Sequence, residues 1–342
     1  MTMPEDIISS ASRAFDHSTS ARRLLEMTGI QEILNLPDLT EVAVNEPGTL
    51  WFERGQGWES VVEARCTYER CMALAMALAV FSDIPWGIDA KNPVASVILP
   101  DGERGQIVIA PATHNGVVSI TLRKPSQARF NLSDYAVQGR LSGAKKVGDG
   151  KAYSAYQQMA EQYRQNQFDA FFKLAIENRL NILIVGGTGS GKTTFSKALA
   201  DLYPPTRRII TIEDVHELTL PKHPNHVHLF FQRGGNTPEM LIESAMRMKP
   251  DHVLLAELRG AEAWSYIELL NTGHAGSITT IHANDCVSAF ARIANLVKRS
   301  EVAAGLDYDF VLKCVKDAID VVCFFDRGHM TEILFEPKGK LL

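Results

Sequence analysis

The chain has 342 residues, 45% of them hydrophobic and 22% charged, with 24 glycines and 15 prolines; these proportions exclude a disordered or collagen-like protein and suit about two domains. The net charge is −5, with 10 basic and 16 acidic side chains in residues 1–125 against 25 and 24 in the rest, so no basic stripe for strong duplex DNA binding is expected. The longest apolar run, Cys71 to Phe81, falls short of the ~20 residues of a membrane span, no apolar signal segment opens the chain, and five cysteines without CxxC spacing suit a reduced, cytosolic protein.

In chain order, the opening reads as helical, with apolar Leu24, Leu25, Met27, Ile30, Ile33 and Leu34 among polar neighbours. Alternating segments at Glu41–Val44, Thr49–Glu53 and Trp58–Val62 are split by turn signals at Asn45–Gly48 and Arg54–Gly57, which predicts a β-meander. Tyr68–Phe81, rich in Ala, Leu and Met without a breaker, predicts a mostly buried helix. Ser96–Leu99 and Arg104–Ala110, joined through Pro100-Asp-Gly102, predict a hairpin, and Val117–Arg123 adds a strand. Residues 1–125 therefore read as an N-terminal α+β domain.

A polar stretch from Ser126 to Lys151, with Gly139, Gly143, Gly148 and Gly150, suits a flexible crossing. Helices follow at Ser154–Arg164 and Phe168–Arg179, so residues 126–165 read as a linker with helix. From Asn181 the pattern changes to short apolar strands alternating with helices: Ile182–Val185, Arg208–Ile212, His252–Ala256 and Ser277–Ile281. That alternation predicts a largely parallel α/β sheet over residues 166–342.

The run Gly186, Gly187, Thr188, Gly189, Ser190, Gly191, Lys192, Thr193, followed by Thr194, matches the full phosphate-binding pattern GxxxxGK[ST] between a strand and a helix. Glycines let successive backbone N–H groups converge on phosphate oxygens, Lys192 reaches the β- and γ-phosphates, and the Thr193 hydroxyl ligates Mg²⁺. An acid is expected at the end of another strand. His252-Val-Leu-Leu-Ala-Glu257 supplies one, a Walker B pattern with Glu in the acidic position, although Glu257 also has Arg259 within reach as a surface partner. Glu213, Asp214 and Glu217 follow a further strand, where one carboxylate orients or deprotonates the attacking water. Finally, Thr272-Gly-His274 opens a Gly-rich turn and a strand that ends at His282, a donor placed to sense the γ-phosphate.

The segments GGTGSGKTT, TIEDVHEL, RMKPDHVLLAELRG and TGHAGSITTIHAN, in that order, resemble the four motifs of the secretion-ATPase superfamily: Walker A, aspartate box, Walker B and histidine box. Together with Pro224–His228, Gly102–Ile107 and Ile120–Ser126, the chain is similar to the hexameric traffic ATPases of type IV secretion systems from about Leu36 to Phe325. The resemblance implies a RecA-like P-loop domain, ATP and ADP bound with Mg²⁺ between the two domains, and a homohexameric ring at the cytoplasmic face of the inner membrane. It also implies work with other type IV secretion components, including inner-membrane ATPases and core proteins, in substrate export, conjugative transfer or pilus assembly. By the same resemblance Glu213 and Glu257 serve catalysis and metal, His274 and His282 line the site, and Arg104 and Arg123 reach the phosphates from the N-terminal domain. Val215 follows the aspartate-box acid where related pilus motors carry proline. His223, His226 and His228 lack paired Cys or HxxxH spacing and read as loop and strand residues. Rival readings are a RecA-like nucleic-acid motor, a P-loop kinase, and a scaffold that binds ATP without turnover.

Overall fold

The computed structural model describes residues 17–55, 57–125, 131–143, 151–232 and 234–335. The expectations for the first sixteen residues, Gly148 and Gly150 lie outside them.

The N-terminal part runs α1 (His17–Met27), α2 (Ile30–Leu34), β1 (Glu41–Val44), β2 (Thr49–Glu53), β3 (Trp58–Val62), α3 (Tyr68–Phe81), β4 (Val94–Ile98), β5 (Arg104–Ile109) and β6 (Val118–Arg123). The six strands form one antiparallel sheet in the order β3-β2-β1-β6-β5-β4. Helix α3 starts at Thr67, whose hydroxyl accepts from the Arg70 amide, a side-chain cap for an otherwise unpaired donor. Its Leu74 and Leu78 pack with Ile107, Ile120 and Leu122 of the sheet in a fully buried core.

Two helices follow, α4 (Leu132–Val137) and α5 (Lys151–Arg164). Helix α4 is closed by a reciprocal cap between Asn131 and Asp134. In α5, Met159 is fully buried against the later sheet and the Tyr163 hydroxyl donates to the Ile333 carbonyl at 3.0 Å.

The C-terminal part continues with α6 (Phe168–Glu177), β7 (Ile182–Gly186), α7 (Lys192–Ala200), β8 (Ile209–Glu213), β9 (His226–Phe230), α8 (Pro238–Arg247), β10 (His252–Leu258), α9 (Glu262–Asn271), β11 (Ile278–Ile281), α10 (Cys286–Val297), α11 (Tyr308–Ala318), β12 (Val321–Asp326) and β13 (His329–Phe335). These seven strands make a second sheet, β13-β12-β7-β11-β10-β8-β9, parallel except for the β12–β13 pair. Its central strands are apolar on both sides, as burial under helices on both faces requires. Leu183, Val185, Ile210 and Ile212 face the core under α8 to α11, whereas Ile182, Ile184, Ile209 and Leu254 face the one under α5 and α6.

The two sheets meet at residues from both. Arg208, fully buried just before β8, donates to Asn45, Asn225, Thr121 and the Met248 carbonyl, and lies 5.0 Å from the Trp58 ring. Lys249 reaches Glu41 at 2.6 Å and also Glu53. At the far end of the contact the Phe230 amide donates to the Ala112 carbonyl at 2.9 Å, and Thr113 donates to the His228 carbonyl at 2.8 Å. No helix among the described residues is long and apolar enough to cross a membrane.

Candidate functional site

Parallel strands aim their carboxyl ends at one edge of the sheet, so side chains that follow them share a crevice. The loop after β7 lies there, with Gly187, Thr188 and Gly189 exposed at its mouth. Gly186 admits no side chain, because a Cβ would overlap the Phe325 carbonyl oxygen and the Ser190 hydroxyl. Gly191 caps α7 with φ +98°, a left-handed conformation that glycine adopts without a Cβ penalty. Within the loop the Ser190 hydroxyl is buried and has no hydrogen-bond partner. Lys192 is also buried, its ammonium donating to the Gly186 and Gly187 carbonyls at 2.9 and 2.7 Å. Burial lowers its pKa, and the Glu257 charge opposes that shift. Thr193 is half-buried at the first turn of α7 and Thr194 is exposed.

One strand away from the loop, β11 delivers His282 to the same edge, and β10 delivers Glu257. Glu257 Oε1 lies 3.1 Å from His282 Nε2, and Oε2 accepts from Arg259 at 2.9 Å. Arg259 also holds Asp214, tying the ends of β10 and β8 together. The sequence offers Arg259 as a surface partner of Glu257; its bridge to Asp214 depends on strand order, which the sequence does not display. Glu213, at the end of β8, is fully buried. Its Oε1 accepts from the Glu217 and Leu218 amides at 2.9 and 2.7 Å, and its Oε2 from the Thr211 hydroxyl at 3.0 Å. Its oxygens therefore hold the aspartate-box turn together.

Three residues are not gathered with the others within the chain. His274 precedes β11, and because β11 runs parallel to β7 its start lies at the edge opposite the phosphate loop, a strand length of about 13 Å away. There its ring bonds the Pro250 backbone, and burial lowers its pKa. Arg104 and Arg123 are exposed and directly opposed across β5 and β6. Arg123 lies 3.8 Å from Glu41, which is held by Lys249 ahead of β10. That contact belongs to the amino ends of the second sheet's parallel strands. Neither arginine pairs with a loop residue among the described residues.

Residues 151–323 match the type II/IV secretion system protein family, and the chain belongs to it. The C-terminal sheet is accordingly a RecA-like ATPase fold. The chain is 39% identical to the type IV secretion system protein VirB11 of Brucella suis, covering 90% of this chain and 88% of that one. It is 36% identical to the type IV secretion system protein PtlH of Bordetella pertussis over 86% of this chain and 87% of that one. The crystal structure of the VirB11 ATPase from the Brucella suis type IV secretion system, in complex with sulphate, superposes with a TM-score of 0.88 over 94% of this chain and 99% of that one.

Proposed function

We propose that the chain is the ATP-hydrolysing motor of a type IV secretion system. It works as a homohexameric ring docked peripherally at the cytoplasmic face of the inner membrane, beside the system's membrane ATPases and core proteins. Its strokes drive substrate export, conjugative transfer or pilus assembly. The observation that carries this reading is the phosphate loop itself. A buried serine hydroxyl without a partner and a buried ammonium parked on loop carbonyls are both suited to an incoming phosphate.

The residues divide the work by their surroundings. Backbone N–H groups of Gly187 to Gly191 cradle the phosphates, and Lys192 exchanges its two carbonyl partners for β- and γ-phosphate oxygens. The Thr193 hydroxyl and the Glu257 carboxylate are the hard oxygen donors that suit Mg²⁺, which when bound offsets phosphate charge. Glu257 is less enclosed than Glu213 (14% against 0% side-chain exposure) and faces Lys192 electrostatically, so we assign it the orientation of the attacking water. His282, paired with Glu257, senses the γ-phosphate. Glu213 is a positioning residue for the aspartate-box turn.

Lys192→Ala should lower ATP turnover by about 10²-fold or more with its circular dichroism unchanged. Glu257→Gln should still bind nucleotide while turnover drops sharply. Wild-type hydrolysis by a folded Lys192→Ala protein overturns the assignment.

A further inference from the structure

His114, His216 and His228 each offer a ring nitrogen, and the three atoms lie within 4.8 Å of one another. They come from separate places: the turn between β5 and β6, the turn after β8, and β9. Their centroids are 4.8, 5.6 and 4.4 Å apart in edge-on arrangements. Phe230 walls one side, 4.8 Å from the His114 ring. Glu213 Oε2 lies behind them, 3.5 Å from His216 Nδ1 and 3.7 Å from His228 Nδ1. We propose that these histidines form a binding site for one divalent transition-metal ion of the zinc class, bridging the N-terminal sheet to the ATPase sheet beside Glu213.

The donor set selects the ion. Three imidazoles suit Zn²⁺ and its neighbours, whereas Mg²⁺ takes oxygen ligands, so this site is distinct from the nucleotide's. Hydrogen bonds set the orientation of the innermost ring. The Thr211 hydroxyl donates to Glu213 Oε2, so towards His228 Nδ1, 2.7 Å away, it acts as acceptor. His228 thus carries its proton on Nδ1 and its lone pair on Nε2. This hydroxyl and carboxylate behind the ring are the kind of outer contact that orients a ligating histidine.

Two nitrogens on one tetrahedral zinc stand about 3.4 Å apart, so the cluster must contract on binding. His114 and His216 are the exposed members, so the contraction falls on them. Two backbone-anchored contacts, Phe230 to Ala112 and Thr113 to His228, already hold the His114 turn against β9. Three protein ligands leave a fourth position for water.

The test uses the full untagged chain, stripped with EDTA and free of nucleotide. Equilibrium dialysis against Zn²⁺ in excess Mg²⁺ should find one ion per chain. His114→Ala and His216→Ala should each weaken binding by more than about tenfold. Co²⁺ in place of Zn²⁺ should give the intense visible bands of a tetrahedral nitrogen site, without thiolate charge transfer. Zn²⁺ should raise the melting temperature of the wild type and leave that of His114→Ala, shown folded by circular dichroism, where it was. Absence of stoichiometric Zn²⁺, thiolate bands, or binding that survives both substitutions overturns the proposal. The outcome is independent of ATP hydrolysis, so it fails or stands apart from the motor reading.

Discussion

Glu213 and Glu257 end neighbouring parallel strands, and the contrast between them illustrates how environment divides similar side chains. The first is sealed among two amides and a hydroxyl; the second faces a histidine and an arginine at the open edge. The buried histidines extend the same principle to stability. Burial, then the neighbouring His226, His216 and His114, pull His228 down to about 3. Burial, then Arg179, pulls His252 to about 3 as well. Unfolded, both return towards 6.5. Between these limits the unfolded chain takes up protons that the folded chain refuses. Stability from the two rings is therefore complete above pH 6.5 and is lost as pH falls below it. At about one pKa unit per 1.4 kcal/mol, the pair should cost about 4 kcal/mol by pH 5. Denaturant melts in EDTA should show this decline, and His228→Gln and His252→Gln should each flatten it. A slope that neither substitution alters would assign the acid sensitivity to other groups.

At the level of elements, much was legible because binary pattern and punctuation agreed. The meander β1 to β3, the helix α3, the β4–β5 hairpin and the strands β7, β8, β10 and β11 lie where alternation, breaker-free apolar runs and turn residues placed them. The strands towards the two ends of the second sheet were harder. Strand β9 carries two histidines, β12 is a short apolar run equally compatible with helix, and β13 is only partly buried, so periodicity gives little contrast. The strand–loop–helix context of the phosphate-loop pattern was legible, since its signal is local: β7, the glycine-rich turn and α7 follow one another as the pattern requires. His274 shows the opposite case: the family resemblance implies that it lines the site, yet a residue that precedes a parallel strand belongs at the far edge. His114 was invisible for another reason, since only tertiary packing brings it to residues more than a hundred positions away. The joint at Arg208 also depends on packing. Its guanidinium is buried, with its pKa drawn down to about 9 by desolvation, and it remains charged at neutral pH through bonds to both sheets. Arg208→Met should leave the Asn45 Oδ1 and Thr121 hydroxyl acceptors without this donor, while Asn225 Oδ1 keeps the Asn45 amide, and cost about 1–3 kcal/mol in urea unfolding. A loss below 1 kcal/mol would mean that the joint relaxes around the change.

For the whole molecule, we propose that Arg104 and Arg123 meet a nucleotide's phosphates, and the decisive question is whose. Like charges directly opposed across two strands destabilise a sheet, and among the described residues only Arg123 of the two pairs with a carboxylate, Glu41 at 3.8 Å. An anion between the two guanidiniums relieves that repulsion, which favours a phosphate as their target. Within one chain, however, they lie by the amino ends of the ATPase-sheet strands, whereas the phosphate loop is at the carboxyl ends. We therefore propose donation in trans, with each nucleotide site completed by a neighbouring subunit, so that binding and release close and open the contact between subunits. Arg123→Ala should then impair hydrolysis although it lies outside the loop and both acidic motifs. Rings mixed from equal amounts of Arg123→Ala and Glu257→Gln chains should regain activity, because about a quarter of a head-to-tail ring's interfaces pair an intact Glu257 with an intact Arg123. Under donation in cis every site in such a ring carries one defect. ATPase assays on co-assembled rings, with hexamer mass verified by light scattering, decide between them: activity no higher than that of either pure variant would place the arginines on their own chain's nucleotide, and full activity of assembled Arg104→Ala and Arg123→Ala rings would leave the N-terminal sheet a docking surface alone.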